Sequence, residues 1–245
     1  MVIVAAEATV VVVVVVAVAA AAAAAAAAAV LDQRVKAFCL LTNCTTVCTS
    51  IDIRNDIKNF RKLENCTVIE GHLQISLIEH VTKEDYKNYR FPQLLEITDY
   101  VLLYRVYGLT TLRDMFPNLA VIRGRLLFTN FALVAFEMID LEELGLINLQ
   151  NISRGGVRLA KNKKLCFINT VDWEKLGVSP GEQDFKQNRE ENACVNLCQD
   201  ECTETTVGRV TAGRCWTSSH CQKNLSESEL LFHCVSFFIL FKLGV

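Results

Sequence analysis

A repeated pattern of apolar positions occupies the middle of the chain. Phe91–Ile97 (FPQLLEI) returns 25 positions later as Phe116–Ile122 (FPNLAVI), and we expect a third, degraded copy at Leu141–Leu144. A period in the twenties is typical of leucine-rich and β-solenoid coils, because each turn buries its apolar side only against its neighbours. The pattern therefore predicts a mainly β protein built as a stack of coils.

Strand-like segments lie between the repeated ones. Tyr100–Val106 and Arg125–Asn130 are rich in aliphatic and aromatic residues of alternating character, which favours strands. The first strand is expected within Cys66–Glu79. Helical spacing of apolar residues predicts a capping helix over Asp56–Leu63 at one end of the stack, and Asp172–Leu176 is expected to cover the other end.

Alignment of these strands at offsets of 28, 26 and 30 positions predicts two rows of side chains on one outer face. The rows are Gln74, Leu102, Phe128 and Arg158, and Ser76, Tyr104, Asn130 and Ala160. Because strand side chains alternate between faces, Ile75, Leu103, Leu127 and Leu159 are expected to point into the coil. Leu102, Tyr104 and Phe128 then form an exposed apolar cluster, which is typical of an interaction site. The alternative is a register slip that places one of the three in the core.

The two ends of the chain differ from its middle. Residues 1–47 are interpreted as a leader and linker, because Ala8–Leu31 is a valine- and alanine-rich run, although it lacks the basic flank of a standard secretory signal. That run is long enough to span a bilayer, so an unusual signal sequence, an uncleaved anchor and an error in the gene model stay open. The polar segment 179–192 is predicted to be a connector. Near the other end, the apolar run Phe237–Phe241 is too short to cross a membrane.

Eleven cysteines predict an oxidising compartment in which disulfides persist. Four Asn-x-Ser/Thr sequons agree with this, at Asn43, Asn65, Asn151 and Asn224. The dense cluster Cys194, Cys198, Cys202, Cys215 and Cys221 has no apolar run from which to build a core. Disulfides are therefore expected to hold it together. A zinc site that includes His220 is the competing interpretation.

The composition argues against nucleic-acid binding and against catalysis. A net charge of −2 gives no basic surface for a polyanion. No phosphate-binding glycine loop, HExxH helix or kinase HRD or DFG tripeptide occurs in the sequence. The adjacent pairs Glu142–Glu143 and Glu190–Glu191 are better explained as solvated surface than as acid and base on a common substrate. We expect a non-enzyme without metal or cofactor.

Four segments together resemble the N-terminal ectodomain of the insulin receptor family. They are Cys48–Asn55, Leu63–Gly71, Phe116–Gly124 and Arg214–Lys223. The resemblance runs from Cys48 to Lys223. It implies a right-handed β-helix of the receptor L type with capping helices at 48–190. The start of a furin-like cysteine-rich region at 191–223 and a non-family tail at 224–245 would follow. It also implies disulfides that join Cys48 to Cys66, Cys166 to Cys194, Cys198 to Cys215, and Cys202 to Cys221.

In that family the flat sheet face binds the hormone together with a helix from the C-terminus of the receptor's own α-subunit. The resemblance carries that contact surface to Asp52, Arg54, Asn55, Gln74, Leu77, Leu102, Tyr104, Phe128, Asn130, Val134, Phe136, Glu137, Arg158 and Lys161. The sequence departs from the family at Ser76, where a leucine is usual. It also departs at Glu79, Tyr104 and Ala160.

The resulting expectation is an extracellular, hormone-binding fragment of a receptor tyrosine kinase, without membrane span or kinase segment. Its partners would be an insulin-like peptide and the α-subunit helix, and family members are disulfide-linked dimers. Glycans are expected at Asn65 and Asn151. The alternative function is a structural or adhesion β-solenoid that binds no hormone.

Overall fold

The structure is a computed structural model that describes residues 46–207 and 210–223. Residues 1–45 of the predicted leader and linker, the predicted tail, the sequons Asn43 and Asn224, and the cysteines Cys39, Cys44 and Cys234 lie outside these ranges, whereas residues 46 and 47 of the predicted linker belong to the first strand. The described part is mainly β. Its strands are β1 (Thr46–Arg54), β2 (Cys66–Ile78), β3 (Glu96–Ile97), β4 (Val101–Val106), β5 (Val121–Ile122), β6 (Phe131–Phe136), β7 (Asn151–Ile152), β8 (Gly156–Ala160), β9 (Gln183–Lys186), β10 (Glu204–Val207), β11 (Val210–Gly213), β12 (Cys215–Thr217) and β13 (His220–Cys221). Its helical elements in the described ranges are short 3₁₀ helices at Ile57–Leu63, Lys83–Asn88, Pro180–Glu182 and Glu191–Ala193.

Two parallel ladders share the long strand β2. The major ladder runs β1-β2-β4-β6-β8-β9, and the minor ladder runs β2-β3-β5-β7. Among the described residues, antiparallel pairing is confined to the two small hairpins β10-β11 and β12-β13 and to an isolated bridge before β6. The fold is therefore a mostly parallel sheet whose strands are separated by stacked turns.

The repeated segments stack as predicted, but their third copy lies elsewhere. Ile97 pairs with Ile122, and Ile122 pairs with Ile152. The third copy is therefore the segment 146–152, LINLQNI, and the prediction of Leu141–Leu144 was wrong. Leu141–Leu144 instead stacks on the turn that contains Leu112, whose N–H donates to Leu144 O at 3.0 Å. Leucine-containing segments therefore stack at two places, around Ile122 and around Leu112, and the sequence pattern alone did not separate them.

The predicted register of the third strand was wrong by six residues. Leu102 pairs with Val134 and not with Phe128, and Tyr104 pairs with Phe136. Phe128 and Phe131 exchange two backbone hydrogen bonds of 3.0 Å across a tight turn, so the strand begins only at Phe131. The inward position assigned to Leu127 belongs to Ala135, which is fully buried, whereas Leu127 is half-buried against the core.

Both ends of the stack are covered by the segments that the sequence predicted. The ladder also has a last strand that the sequence did not predict. The 3₁₀ helix Ile57–Leu63 buries Phe60 and Leu63 in the core, and Trp173 is buried at the other end. Gln183–Lys186 was predicted to be part of a connector, but it forms β9, the last strand of the major ladder. Only Phe185 in this strand is apolar, so the alternation that marks a strand is nearly absent. No helix in the described ranges is long and apolar enough to cross a bilayer.

Four disulfides hold the described cysteines: Cys48–Cys66, Cys166–Cys194, Cys198–Cys215 and Cys202–Cys221. These are the pairs that the resemblance implies. All five cysteines of the proposed zinc cluster are therefore in disulfides, which contradicts the zinc interpretation because a metal ligand must be a free thiolate. The His220 ring instead lies 2.9 Å from the hydroxyls of Thr217 and Ser219.

Candidate functional site

Three parallel rows of side chains cover the outer side of the major ladder, and we call this surface the outer face. In the first row are Asp52, Gln74, Leu102, Val134, Arg158 and Asp184. In the second row are Arg54, Ser76, Tyr104, Phe136, Ala160 and Lys186. In the third row are the residues that follow them, Asn55, Leu77, Arg105, Glu137, Lys161 and Gln187. The fully buried residues Ile53, Ile75, Leu103, Ala135 and Leu159 lie between the first two rows and point inward.

The third row owes its position to the backbone. All six of its residues have positive φ, between 49° for Arg105 and 63° for Asn55. A left-handed residue at the end of a strand interrupts the alternation of side chains. Tyr104 and Arg105, for example, are both accessible, and Val106 after them is buried. The repeated left-handed residue therefore widens the outer face by one row.

Aromatic and aliphatic side chains occupy the centre of the outer face. The rings of Tyr104 and Phe136 stack at a centroid distance of 5.7 Å, and Leu77 beside them is 37% exposed. Leu102 and Val134 are only 7% and 2% exposed, although neither belongs to the core cluster. Of the three side chains predicted to form an exposed cluster, Tyr104 is half-buried and Leu102 is buried. The prediction that Leu102 is exposed was therefore wrong.

The third member of that predicted cluster, Phe128, lies in the turn before β6. It is 40% exposed, and its ring is 5.7 Å from that of Tyr100. Tyr100 in turn stacks on His72 at 4.8 Å. Phe128 therefore ends a short aromatic line beside the first row. Sequence reasoning missed His72 and Tyr100, since neither stands in the predicted rows.

Ion pairs fix the charged side chains next to the aromatic centre. Glu137 accepts hydrogen bonds from Arg105 Nε at 2.8 Å and from Lys161 Nζ at 3.0 Å. These two bonds, that from Lys161 first, lower the pKa of Glu137, so the carboxylate is charged at neutral pH. Lys161 Nζ also lies 5.0 Å from the centroid of the Phe136 ring. At the β1 end of the face, Arg54 donates to Asp52 at 2.8 Å.

A second carboxylate acts similarly on the last strand of the face. The Arg158 guanidinium lies 5.8 Å from the Phe131 ring centroid and 5.7 Å from that of Phe136. Asp184 is directly opposite in register, with its Oδ2 atom 3.5 Å from Arg158 Nε. The other oxygen of Asp184 is 2.6 Å from Lys186 Nζ. Phe136 is thus bordered by two cations, each held by its own carboxylate.

Most of the residues that the resemblance assigned to hormone contact lie on the three rows. The exceptions are Phe128 and Asn130, which are in the turn before β6. The rows also contain Arg105, Asp184, Lys186 and Gln187, which were not predicted to lie on the outer face. Of the sequon asparagines, Asn65 is exposed just before β2 and Asn151 is exposed on β7 of the minor ladder, so neither belongs to the outer face.

Comparison with known proteins agrees with this architecture. Residues 65–177 match the family described as Receptor L domain. The chain is 53% identical over 185 residues to the insulin-like peptide receptor of Branchiostoma lanceolatum, a match that covers 75% of this chain and 13% of that protein. It is 55% identical over 181 residues to the putative molluscan insulin-related peptide(s) receptor of Lymnaea stagnalis, covering 74% and 11%. It is 48% identical over 184 residues to the insulin receptor-related protein of Mus musculus, covering 72% and 14%.

The parallel ladders and the family match together define a receptor L domain. The domain is that of the insulin receptor family, and the chain spans only 11% to 14% of the length of these three relatives. The matched region belongs to the ectodomain of such receptors and contains no catalytic domain.

Proposed function

We propose that the outer face binds an insulin-like peptide hormone, together with a helix from the C-terminus of the receptor's own α-subunit. The observation that carries this proposal is the aromatic centre formed by the half-buried Tyr104 and Phe136, which stack on the outer face and are bordered by ion-paired charges. Protein interfaces favour such an arrangement, with apolar anchors at the centre and a polar rim. The Branchiostoma and Lymnaea relatives are peptide receptors by name.

The backbone gives a second, independent reason. Non-glycine residues in the left-handed region are strained, by about 1 kcal/mol or more each, and such strain is often retained at functional sites. Here it recurs six times along one edge of one surface. Since the third row widens the outer face, a broad contact surface accounts for the strain.

Several finer features belong to the same proposal. We infer that the ladders wind as a right-handed β-helix over residues 48–190, that residues 191–223 begin a furin-like region, and that glycans modify Asn65 and Asn151. We also infer an extracellular location and a disulfide-linked receptor dimer. Both sequon sites lie off the outer face, so glycans there would leave the face open.

Calorimetry on the chain secreted from cultured cells tests the proposed contact. Insulin serves as the probe, with and without a synthetic peptide that reproduces the C-terminal α-subunit helix of an insulin receptor. We expect measurable binding only with the peptide, and a loss of about 10- to 100-fold for Phe136→Ala. Burial of an aromatic ring contributes about 1.5 to 3 kcal/mol, and each 1.4 kcal/mol is about tenfold in affinity.

Ile139→Ala is the control, because Ile139 is an exposed apolar residue, at 39%, outside the three rows. It should leave binding unchanged, and far-UV circular dichroism should show that both variants fold. Nanomolar binding without the peptide would contradict the need for the helix. Absence of binding with the peptide would favour the structural or adhesion alternative. Binding that is insensitive to Phe136→Ala and Tyr104→Ala would contradict the outer face as the contact surface.

A further inference from the structure

The last strand of the major ladder carries two charged residues that no prediction assigned to the outer face. Asp184 continues the first row and Lys186 continues the second. The side chain of Asp184 is only 17% exposed, whereas those of Arg158 and Lys186 are 41% and 74% exposed. The carboxylate therefore lies beneath the two cations that it joins.

We propose that Asp184 is a positioning residue for the outer face: it holds the Arg158 guanidinium over the rings of Phe131 and Phe136. The proposal rests on the proposed hormone-binding function for its consequence in binding, but its geometry stands independently. Asp184 itself makes no contact with the ligand in this scheme and acts through Arg158.

The geometry favours this role over a simple surface ion pair. An arginine side chain has many rotamers, and an exposed ion pair alone rarely fixes one. Arg158 has two further constraints, since its guanidinium lies within 6 Å of two aromatic rings. Cation–π contact requires the charge to lie near a ring, and Asp184 is the carboxylate directly opposite Arg158 in the ladder.

The neighbouring half of the same surface shows the same plan. Glu137 joins Arg105 and Lys161, and Lys161 lies 5.0 Å from the Phe136 ring centroid. Each of the two cations next to Phe136 is thus held by a carboxylate that also binds a second cation. A ligand group placed on Phe136 would meet both cations already oriented, which reduces the side-chain ordering that binding requires.

The first test needs no hormone. Arginine labelled with ¹⁵N allows the Arg158 Nε–H resonance to be followed by NMR, and its position above two rings should shift that proton through ring currents. Asp184→Asn should move the resonance toward the value of a solvated arginine, and Asp184→Glu should restore most of the shift. An unchanged Arg158 resonance in Asp184→Asn would overturn the proposal whatever the binding data.

Binding of insulin in the presence of the helix peptide is measured on the same variants. Asp184→Asn should weaken binding by about two- to fivefold, the range expected for an exposed cation–π or ion-pair contact. In an Arg158→Gln background, Asp184→Asn should add nothing further, because both changes act on one contact. Asp114→Asn, in an exposed ion pair with Arg113, is the matched control and should change neither readout.

The two proposals fail in different ways. A shifted Arg158 resonance without any insulin binding by the parent chain would retain the positioning role and reject the hormone proposal. Additive losses in the double variant, with binding intact, would show that Asp184 acts independently of Arg158 and would overturn the positioning role alone.

Discussion

At the scale of single residues, the outer face contains one buried polar atom without a partner. Ser76 is 2% exposed, and its hydroxyl is one of two buried side-chain polar atoms in the described ranges that lack a hydrogen bond. Its row neighbours are Arg54 and Tyr104. An unpaired buried hydroxyl costs about 1 to 3 kcal/mol, so this position reduces the stability of the fold.

Replacement of Ser76 by alanine is therefore expected to stabilise the chain. The free energy of unfolding should rise by about 1 kcal/mol, because the desolvated hydroxyl is removed and little volume is lost. Chemical denaturation followed by circular dichroism measures the change. Ser50→Ala provides the contrast: the Ser50 hydroxyl accepts the His72 N–H at 3.2 Å, so its loss should not stabilise the chain. A lower stability of Ser76→Ala would show that this hydroxyl has a partner in solution.

The residue scale is also where sequence reasoning was weakest. Leu77, Arg105, Glu137 and Lys161 all adopt left-handed φ, yet none is the glycine or asparagine that usually marks such a position. The left-handed position recurs at the same place in successive coils, which no single residue reveals. The resemblance to the insulin receptor family identified three of these four as contact residues, whereas alternation along the strands identified none.

At the scale of elements, the turns are joined as closely as the strands. Asp140, in the turn after β6, accepts the Gly108 N–H from the turn after β4 at 2.8 Å. Its other oxygen binds Lys164 Nζ from the turn after β8, also at 2.8 Å. Gly108 has φ +71°, and a Cβ there would lie 2.7 Å from the Thr82 backbone carbon, so only glycine fits. One carboxylate therefore links three successive turns.

This link predicts a pH dependence of stability. The hydrogen bond from Lys164 first, and then the Gly108 N–H, lower the pKa of Asp140. A carboxyl with a lower pKa in the folded state stabilises the fold above its unfolded pKa of 3.8. That contribution is lost as the pH falls through the folded pKa. Asp140→Asn should thus cost about 0.5 kcal/mol at pH 7 and almost nothing near pH 2.

Denaturation of the variant and the parent at both pH values measures this difference. Glu84→Gln is the control, since the Glu84–Lys87 pair is exposed at 3.7 Å and should contribute nothing measurable. A cost of the Asp140 change that persists undiminished at pH 2 would mean that the carboxylate charge is not its source.

The hydrophobic pattern predicted the register of some strands and not of others. The Phe-Pro repeat correctly aligned Ile97 with Ile122, because both positions are buried and a one-residue slip would expose them. The same method misplaced β6 because the Phe128–Phe131 turn lengthens that coil. It also missed β9, in which Phe185 is the sole apolar residue. Offsets between strands are thus predictable only where the intervening turns have constant length.

At the scale of the whole molecule, the hydrophobic core crosses the boundary proposed between the L domain and the furin-like region. Trp216 is 1% exposed and belongs to the same core cluster as the strands. Its ring meets that of Trp173 edge to face at 5.8 Å. Backbone contacts reinforce this packing, since Cys215 N–H donates to Thr170 O at 3.0 Å. The hairpin β12-β13 is therefore part of the folded unit.

Such a shared core predicts one cooperative unfolding transition for the described part of the chain. Trp216→Ala should lower the free energy of unfolding by about 3 to 5 kcal/mol, as for other large aromatic truncations in a core. Circular dichroism reports the ladders, and tryptophan fluorescence reports Trp173 alone once Trp216 is replaced. Both signals should shift together to the same new midpoint. Trp216→Phe should cost less, because it keeps most of the ring and removes the unpaired Trp216 Nε1. If fluorescence shifted alone while the ladder signal kept its midpoint, the β12-β13 hairpin would be an independent unit packed on a self-sufficient L domain.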